Sequence, residues 1–169
     1  MNKTLYLLRH AKAEPWGPGI DDFSRPLAPP GRRHMKALAN WCGRNLEAPQ
    51  LILCSPSART LETVAPLLAL WPEAGAGCQY PKFLYGASAG SLLNCLEEAL
   101  KDAGSVLMVG HNPGFEGLAL SLIPDRQAAD IWKMPTGTLG VFDFSGWPEQ
   151  GLHQVHLRHW ITRGDLSVD

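Results

Sequence analysis

Leu5-Tyr6-Leu7-Leu8-Arg9-His10-Ala11-Lys12-Ala13-Glu14 carries an apolar run straight into an adjacent arginine and histidine. A short continuous apolar run reads as a strand buried on both faces, the condition of strands in parallel sheets. In open α/β sheets, ligands bind at the carboxyl ends of the strands, where the loops leave a crevice. Arg9 and His10 stand at such an end. The pair suggests chemistry by His10 on an anion held partly by Arg9, against the plainer reading of a polar strand end.

The pattern recurs further along the chain. Gln50-Leu51-Ile52-Leu53-Cys54 reads as a second buried strand, and Ser55-Pro56-Ser57-Ala58-Arg59-Thr60 opens a helix with serine as cap and proline at its first position. Leu61, Val64, Ala65 and Leu68 extend it as an apolar line. Arg59 then falls in the first turn, beside free backbone N–H groups. A cation there opposes the helix dipole unless an anion lies between them, so Arg59 marks an anion site. Ser105-Val106-Leu107-Met108-Val109 is another apolar strand, followed by Gly110-His111-Asn112-Pro113-Gly114. Asn112 suits a helix cap ahead of Pro113, and His111 occupies the same kind of strand end as His10.

Between these strands lie helix-like segments. Residues 32–46 place Met35, Leu38, Ala39, Cys42 and Leu46 on one face, with His34 expected in solvent. Residues 91–102 place Leu92, Leu96, Ala99 and Leu100 on one face. Residues 15–31 are too rich in proline and glycine for a helix. Tyr80–Tyr85 reads as a short strand or extended turn, residues 118–132 as a helix interrupted by Pro124, and residues 138–144 and 153–160 as two strands joined by a turn with Gly146, Pro148 and Gly151. Alternation of strand and helix predicts an α/β class with a largely parallel sheet.

Composition bounds the function. A chain of 169 residues, 45% hydrophobic and 18% charged, suits a single domain over residues 1–169. A net charge of −1 offers no global field for nucleic acid or anionic lipid, so an anion site must be local. The start of the chain lacks the apolar region and cleavage site of a signal peptide, and no stretch suggests a membrane span, so a cytoplasmic location is expected. Cys42, Cys54, Cys78 and Cys95 are widely spaced; they predict neither zinc nor a disulfide scaffold and are expected reduced and mostly buried.

Three other motifs compete for attention. Gly86-Ala87-Ser88-Ala89-Gly90 matches the nucleophile elbow of α/β hydrolases, with Asp125 or Asp130 and then His153 as partners on paper. Pro81 and Lys82 make a poor central strand ahead of it, and small residues before a helix are ordinary capping material. Cys54-Ser55-Pro56-Ser57-Ala58-Arg59 resembles a cysteine-phosphatase loop but is one residue short. His153, His156 and His159 invite a metal, yet on a strand His156 points away from the other two and no carboxylate or cysteine has ligand spacing.

Leu8-Arg9-His10-Ala11, Asp22-Phe23-Ser24-Arg25-Pro26-Leu27, Ser55-Pro56-Ser57-Ala58-Arg59-Thr60 and Val109-Gly110-His111-Asn112-Pro113 together resemble, in order, the four signature blocks of the histidine phosphatase (phosphoglycerate mutase-like) superfamily, and most of all its short SixA-type phosphohistidine phosphatases. Ala11 departs from the glycine that most of the superfamily has there. The resemblance implies a three-layer α/β/α fold with a mostly parallel sheet. It implies that His10 attacks phosphorus and becomes a phosphohistidine, that Arg9, Arg59 and His111 form the phosphate pocket, and that Arg25 and Asn112 also bind substrate. It implies no metal or cofactor. The expected partner is a phosphorylated substrate, a histidine-phosphorylated protein in particular. Where relatives place an acidic residue to protonate a leaving alcohol, residues 82–88 have none. That absence favours a phosphoramidate, while Glu14 or Asp22 as acid would fit a phosphomonoesterase, and a pocket without turnover would fit a phosphate-binding module.

Overall fold

The structure, a computed structural model, describes residues 2–123, 133–147 and 154–166. Among them five strands are formed: β1 (Lys3–Arg9), β2 (Leu51–Cys54), β3 (Ser105–Gly110), β4 (Leu139–Phe144) and β5 (Val155–Ile161). They make one sheet in the order β2-β3-β1-β4-β5. β2, β3 and β1 are parallel, with Arg9 opposite Gly110 and Cys54 opposite Val109. β4 runs antiparallel to both β1 and β5. The largely parallel sheet expected from the sequence therefore holds for the β2-β3-β1 side alone. The short link from β4 to β5 permits a hairpin, whereas a parallel pair needs a crossover of about a dozen residues.

Among the described residues five helices accompany the sheet: α1 (Pro29–Asn45), α2 (Ala58–Leu70), the short α3 (Pro72–Ala76), α4 (Ala89–Asp102) and α5 (Gly114–Leu122). Tyr6 and Leu8 of β1 share an apolar cluster with Met35, Leu38, Val64 and Leu67 of α1 and α2. Leu5 and Leu7 share another with Leu92, Leu96, Leu100, Phe115 and Leu118 of α4 and α5. The strand alternates its side chains between the two, which is why it reads as apolar throughout. The connection leaving β1 enters α1 and that leaving β3 enters α5, so the two loops diverge between neighbouring parallel strands. Such a switch point opens a crevice at the strand ends.

Several expectations are corrected. α1 begins at Pro29, because proline is tolerated in the first turn of a helix. His34, expected in solvent, is 3% exposed. It precedes Leu38 by one helical turn and shares that row, and its Nε2 lies 2.8 Å from the carbonyl of Gly137. α2 begins at Ala58 with Ser57 as its cap, so Ser55 and Pro56 lie ahead of the helix. Its buried face is Arg59, Thr60, Thr63, Val64 and Leu67, whereas Leu61 and Ala65 face outward. The buried threonines fit because Thr60 Oγ1 donates to Ser55 O at 2.6 Å and Thr63 Oγ1 to Arg59 O at 2.7 Å. Lys82–Leu84 forms a single 3-10 turn, so the nucleophile-elbow reading of Ser88 lacks its strand. Ser88 is exposed and caps α4, accepting from Ser91 N.

Cys42 and Cys54 are buried and Cys78 and Cys95 half-buried, all as free thiols. Burial pushes the Cys54 thiol far above its ordinary range, which removes it as a nucleophile at neutral pH. Among the described residues no helix is long and apolar enough to cross a membrane. Pro124, the alternatives Asp125 and Asp130, Pro148, Gly151 and His153 lie outside the described residues.

Candidate active site

The carboxyl ends of β1, β2 and β3 deliver His10, Ser55 and His111 to one rim of the sheet. His10 is 8% exposed. Its backbone is held from both sides: its N–H donates to Gly110 O at 3.0 Å and its carbonyl accepts from Gly137 N at 2.8 Å. Its Nδ1 lies 2.7 Å from Ala11 O. A carbonyl only accepts, so the proton of the neutral ring is on Nδ1 and Nε2 carries a bare lone pair. Burial first, and then the charges of Arg59, Arg9 and Arg25, lower the His10 pKa to about 4, leaving the lone pair free at neutral pH.

The arginines are fixed by carbonyls and one carboxylate. Arg9 donates from one terminal nitrogen to Met134 O at 2.9 Å. Arg59, 5% exposed, donates to Asp22 O at 2.7 Å and to Asp22 Oδ2 at 3.0 Å. The Nε atoms of Arg9 and Arg59 are both buried without a hydrogen-bond partner. Arg25 donates from Nε and a terminal nitrogen to Asp22 Oδ1 at 3.0 and 2.9 Å, and from its other terminal nitrogen to Glu14 O at 2.9 Å. Asp22 also accepts from the hydroxyl of Tyr85. With Tyr85, Arg25 and Arg59 donating to it, its carboxyl stays well below the usual carboxylate range and is ionised at neutral pH.

His111 stands beside His10, with ring centroids 5.3 Å apart. Ser55 Oγ is 2.8 Å from its Nε2, and its Nδ1 is buried with no partner. Burial, then Arg59 and His10, lower its pKa to about 3. Tyr85 meets its ring edge-on at 5.4 Å and Phe23 meets Tyr85 at 5.2 Å, so two exposed aromatics border the site.

The structure thus brings together four of the residues singled out from sequence: His10, Arg59, Arg9 and His111. Arg25 joins them through Asp22. Asn112 has a different placement: its amide nitrogen donates to Met134 O at 2.9 Å and its oxygen accepts from Glu116 N at 3.1 Å, so, with Pro113 rather than Asn112 as the cap of α5, it ties the first turn of that helix to the neighbouring loop. Glu116 completes this brace by accepting from Met134 N at 2.7 Å. Sequence reasoning passed over Glu116, Met134, Gly137 and Tyr85. Ser55 was read only as a helix cap. Among the described residues no three His, Cys, Asp or Glu side chains are grouped to hold a metal ion.

A buried cluster of guanidinium groups and two neutral imidazoles, with the Nε–H donors of Arg9 and Arg59 unpartnered, is suited to an anion of tetrahedral geometry. No protein-family model matches the chain. An uncharacterised protein of Mycobacterium tuberculosis is 34% identical over 145 residues, covering 82% of this chain and 88% of that one. A structure assigned as phosphohistidine phosphatase SixA of Agrobacterium tumefaciens superposes with a TM-score of 0.79 at 30% identity, covering 95% of this chain and 98% of that one.

The chain belongs to the histidine phosphatase superfamily.

A second structure assigned as SixA, from a Nakamurella species, covers 96% of each chain with a TM-score of 0.78 at 28% identity. For a histidine phosphatase superfamily member, the four sequence blocks have a spatial reading. The first and fourth supply the paired histidines, the third supplies Arg59 and Ser55, and the second arrives as a 3-10 turn (Asp22–Ser24) whose Asp22 ties Arg25 and Arg59 together.

Proposed function

We propose that this protein is a phosphohistidine phosphatase that passes the phosphoryl group through His10. The observation that carries the reading is the state of His10: a neutral ring, its Nδ1–H held by Ala11 O, its Nε2 lone pair free beside Arg9, Arg59 and His111. Nε2 attacks phosphorus and forms a P–N bond as the bond to the leaving group breaks. Water then attacks phospho-His10; the P–N electron pair returns to Nε2 and orthophosphate leaves. Covalent capture splits one hard displacement into two easier ones. Arg9, Arg59 and Arg25 supply donors to the phosphoryl oxygens, where charge accumulates as the bonds exchange. No metal or cofactor takes part in these steps.

The leaving-group side favours a phosphoramidate. A phosphorylated imidazole takes up a proton on its second nitrogen and departs as neutral imidazole, so it needs no acid from the protein. An alkyl phosphate does need one. Residues 82–88 contain no carboxylate, and Asp22 is held ionised by its three donors, which makes it a poor acid. The SixA relatives supply the same substrate class by name. Exposed Phe23 and Tyr85 beside the rim suit a substrate presented on a protein surface.

The test is a turnover screen of a phosphohistidine peptide, a phosphoserine peptide and p-nitrophenyl phosphate, with and without chelator, beside His10→Ala. The expected result is preference for the phosphohistidine peptide, insensitivity to chelator, and an acid-labile phosphoryl label absent from His10→Ala. Turnover that survives His10→Ala excludes the covalent route.

A further inference from the structure

The arrangement at Ser55 reaches beyond the nucleophile. We propose that Ser55 is a positioning residue whose hydroxyl donates to His111 Nε2 and thereby holds His111 as the Nδ1–H tautomer, so that the two site histidines, both protonated on Nδ1, leave different nitrogens free: a bare Nε2 on His10 and an Nδ1–H on His111. The proposal rests on the phosphoryl site described above for its functional meaning, though not for its test.

Three observations carry it. Ser55 is fully buried, and among the described residues its Oγ meets a single partner, Nε2 of His111 at 2.8 Å. If the ring donated its own Nε2–H to Oγ, the serine proton would be left buried without an acceptor; if Ser55 donates to Nε2, both groups are satisfied. Second, the serine cannot turn away easily. Its N–H donates to Val109 O at 2.9 Å, and its carbonyl accepts from Thr60 Oγ1 at 2.6 Å, fixing the backbone that carries the hydroxyl. Third, His111 Nδ1 is buried and unpartnered, as are Nε of Arg59 and Nε of Arg9. A protonated Nδ1 adds a donor to that set. A bare Nδ1 would present a lone pair to any anion that the arginines hold, and would repel it.

The consequence is a division of labour fixed before substrate arrives. His10 gives its proton to the Ala11 carbonyl and keeps Nε2 bare for attack. His111 accepts the Ser55 hydrogen bond at Nε2 and keeps Nδ1–H for donation. His111 then acts as a neutral donor to a phosphoryl oxygen, with the tautomer chosen by a neighbour in the way that a buried partner orients other functional imidazoles.

The experiment is long-range nitrogen–proton NMR of the uniformly 15N-labelled full chain near pH 7 without ligand, with His111→Gln to assign the His111 signals. The expected spectrum shows a bare, pyridine-type Nε2 and a protonated, pyrrole-type Nδ1 for His111, and the same pattern for His10. A protonated Nε2 on His111 overturns the proposal whether or not the chain is a phosphatase. In Ser55→Ala the Nε2–H tautomer should rise, and kcat on phosphohistidine peptide should fall by about tenfold or more with KM little changed. Ser55→Thr, which restores the hydroxyl, should recover the wild-type tautomer. An unaltered tautomer in Ser55→Ala, with kcat unchanged, also overturns it. Because the wild-type spectrum decides by itself, a poorly folded variant does not remove the test; absence of turnover on every substrate would instead count against the phosphatase reading alone.

Discussion

The rings of His10 and His111 lie 5.3 Å apart, centroid to centroid, and are tilted by 54° to each other. Each is anchored through a different nitrogen: His10 by Nδ1 to the Ala11 carbonyl, His111 by Nε2 to the Ser55 hydroxyl. Two chemically identical side chains are thus given different free atoms by their neighbours, and the predictions that follow depend on this asymmetry and on the arginines around it.

The pH profile should reflect the lowered pKa of His10. With the His10 pKa lowered to about 4, Nε2 is bare from neutral pH down to pH 5. Once the substrate's own ionisation is divided out, kcat/KM should stay level through that range and fall only near pH 4. A limb centred near the ordinary histidine value would remove His10 from the nucleophile role.

Stability should fall on acidification for the same reason. The folded-state pKa of His10 lies below its unfolded value, so the unfolded chain binds more protons between the two, and folding stability is complete above about pH 6.5 and lost as pH drops toward 4. From pH 7.5 to pH 5, His10 alone accounts for about 2 kcal/mol, and His111 adds to it with the same sign. Denaturant unfolding at the two pH values measures the loss, and His10→Gln should lessen it. An equal loss in that variant contradicts the assignment.

Arg59→Ala should lower kcat/KM by about 2 to 4 kcal/mol of transition-state stabilisation, the range found for other donors aimed at developing charge. Arg59→Lys should not restore it. The two terminal nitrogens of Arg59 hold Asp22 O and Oδ2 together, a fork that an ammonium cannot reproduce. Full recovery in the lysine variant argues against the forked contact.

Asp22→Asn should tighten inhibition by orthophosphate several-fold. Its carboxylate occupies donors of Arg25 and Arg59 that an incoming anion also seeks, and its negative charge repels that anion. Weaker orthophosphate binding in the variant would show that Asp22 serves mainly to hold the arginines in place.

Gly137→Ala should be destabilising and should depress kcat. Gly137 has φ +75, and a Cβ there would come within 2.5 Å of the His34 ring. The left-handed backbone alone costs about 1–3 kcal/mol for a residue with a side chain. Its N–H also holds the His10 carbonyl at 2.8 Å, so displacement of the turn reaches His10. Thermal unfolding and initial rates measure the two effects; a variant with unchanged melting temperature and rate contradicts both.

Local chemistry made much of this legible in the linear sequence. Apolar runs at residues 5–8, 51–54 and 106–109, too short for helices and alternating with helix-like segments, read as strands covered on both faces, and so they pointed to the α/β class and to Arg9, His10 and His111 at strand ends. The four short blocks pointed to the family because three of them keep their charged residues at a fixed offset from such an end, while the second carries Asp22 and Arg25 on the loop after β1. Tertiary structure alone decided the rest. Ser55 meets His111 across 56 positions of sequence and Tyr85 meets Asp22 across 63, and neither pairing has a period that a pattern could carry. Gly137 and Met134 contribute backbone groups, which are the same for nearly every residue type and leave no mark in the sequence. His34 followed the row of Leu38 into the interior because the Gly137 carbonyl was there to receive it, and only the folded chain brings that carbonyl to α1. The sequence by itself set which residues could do the chemistry; the fold set which nitrogen of each histidine is free to do it, because a tautomer is chosen by the nearest hydrogen-bond partner in space.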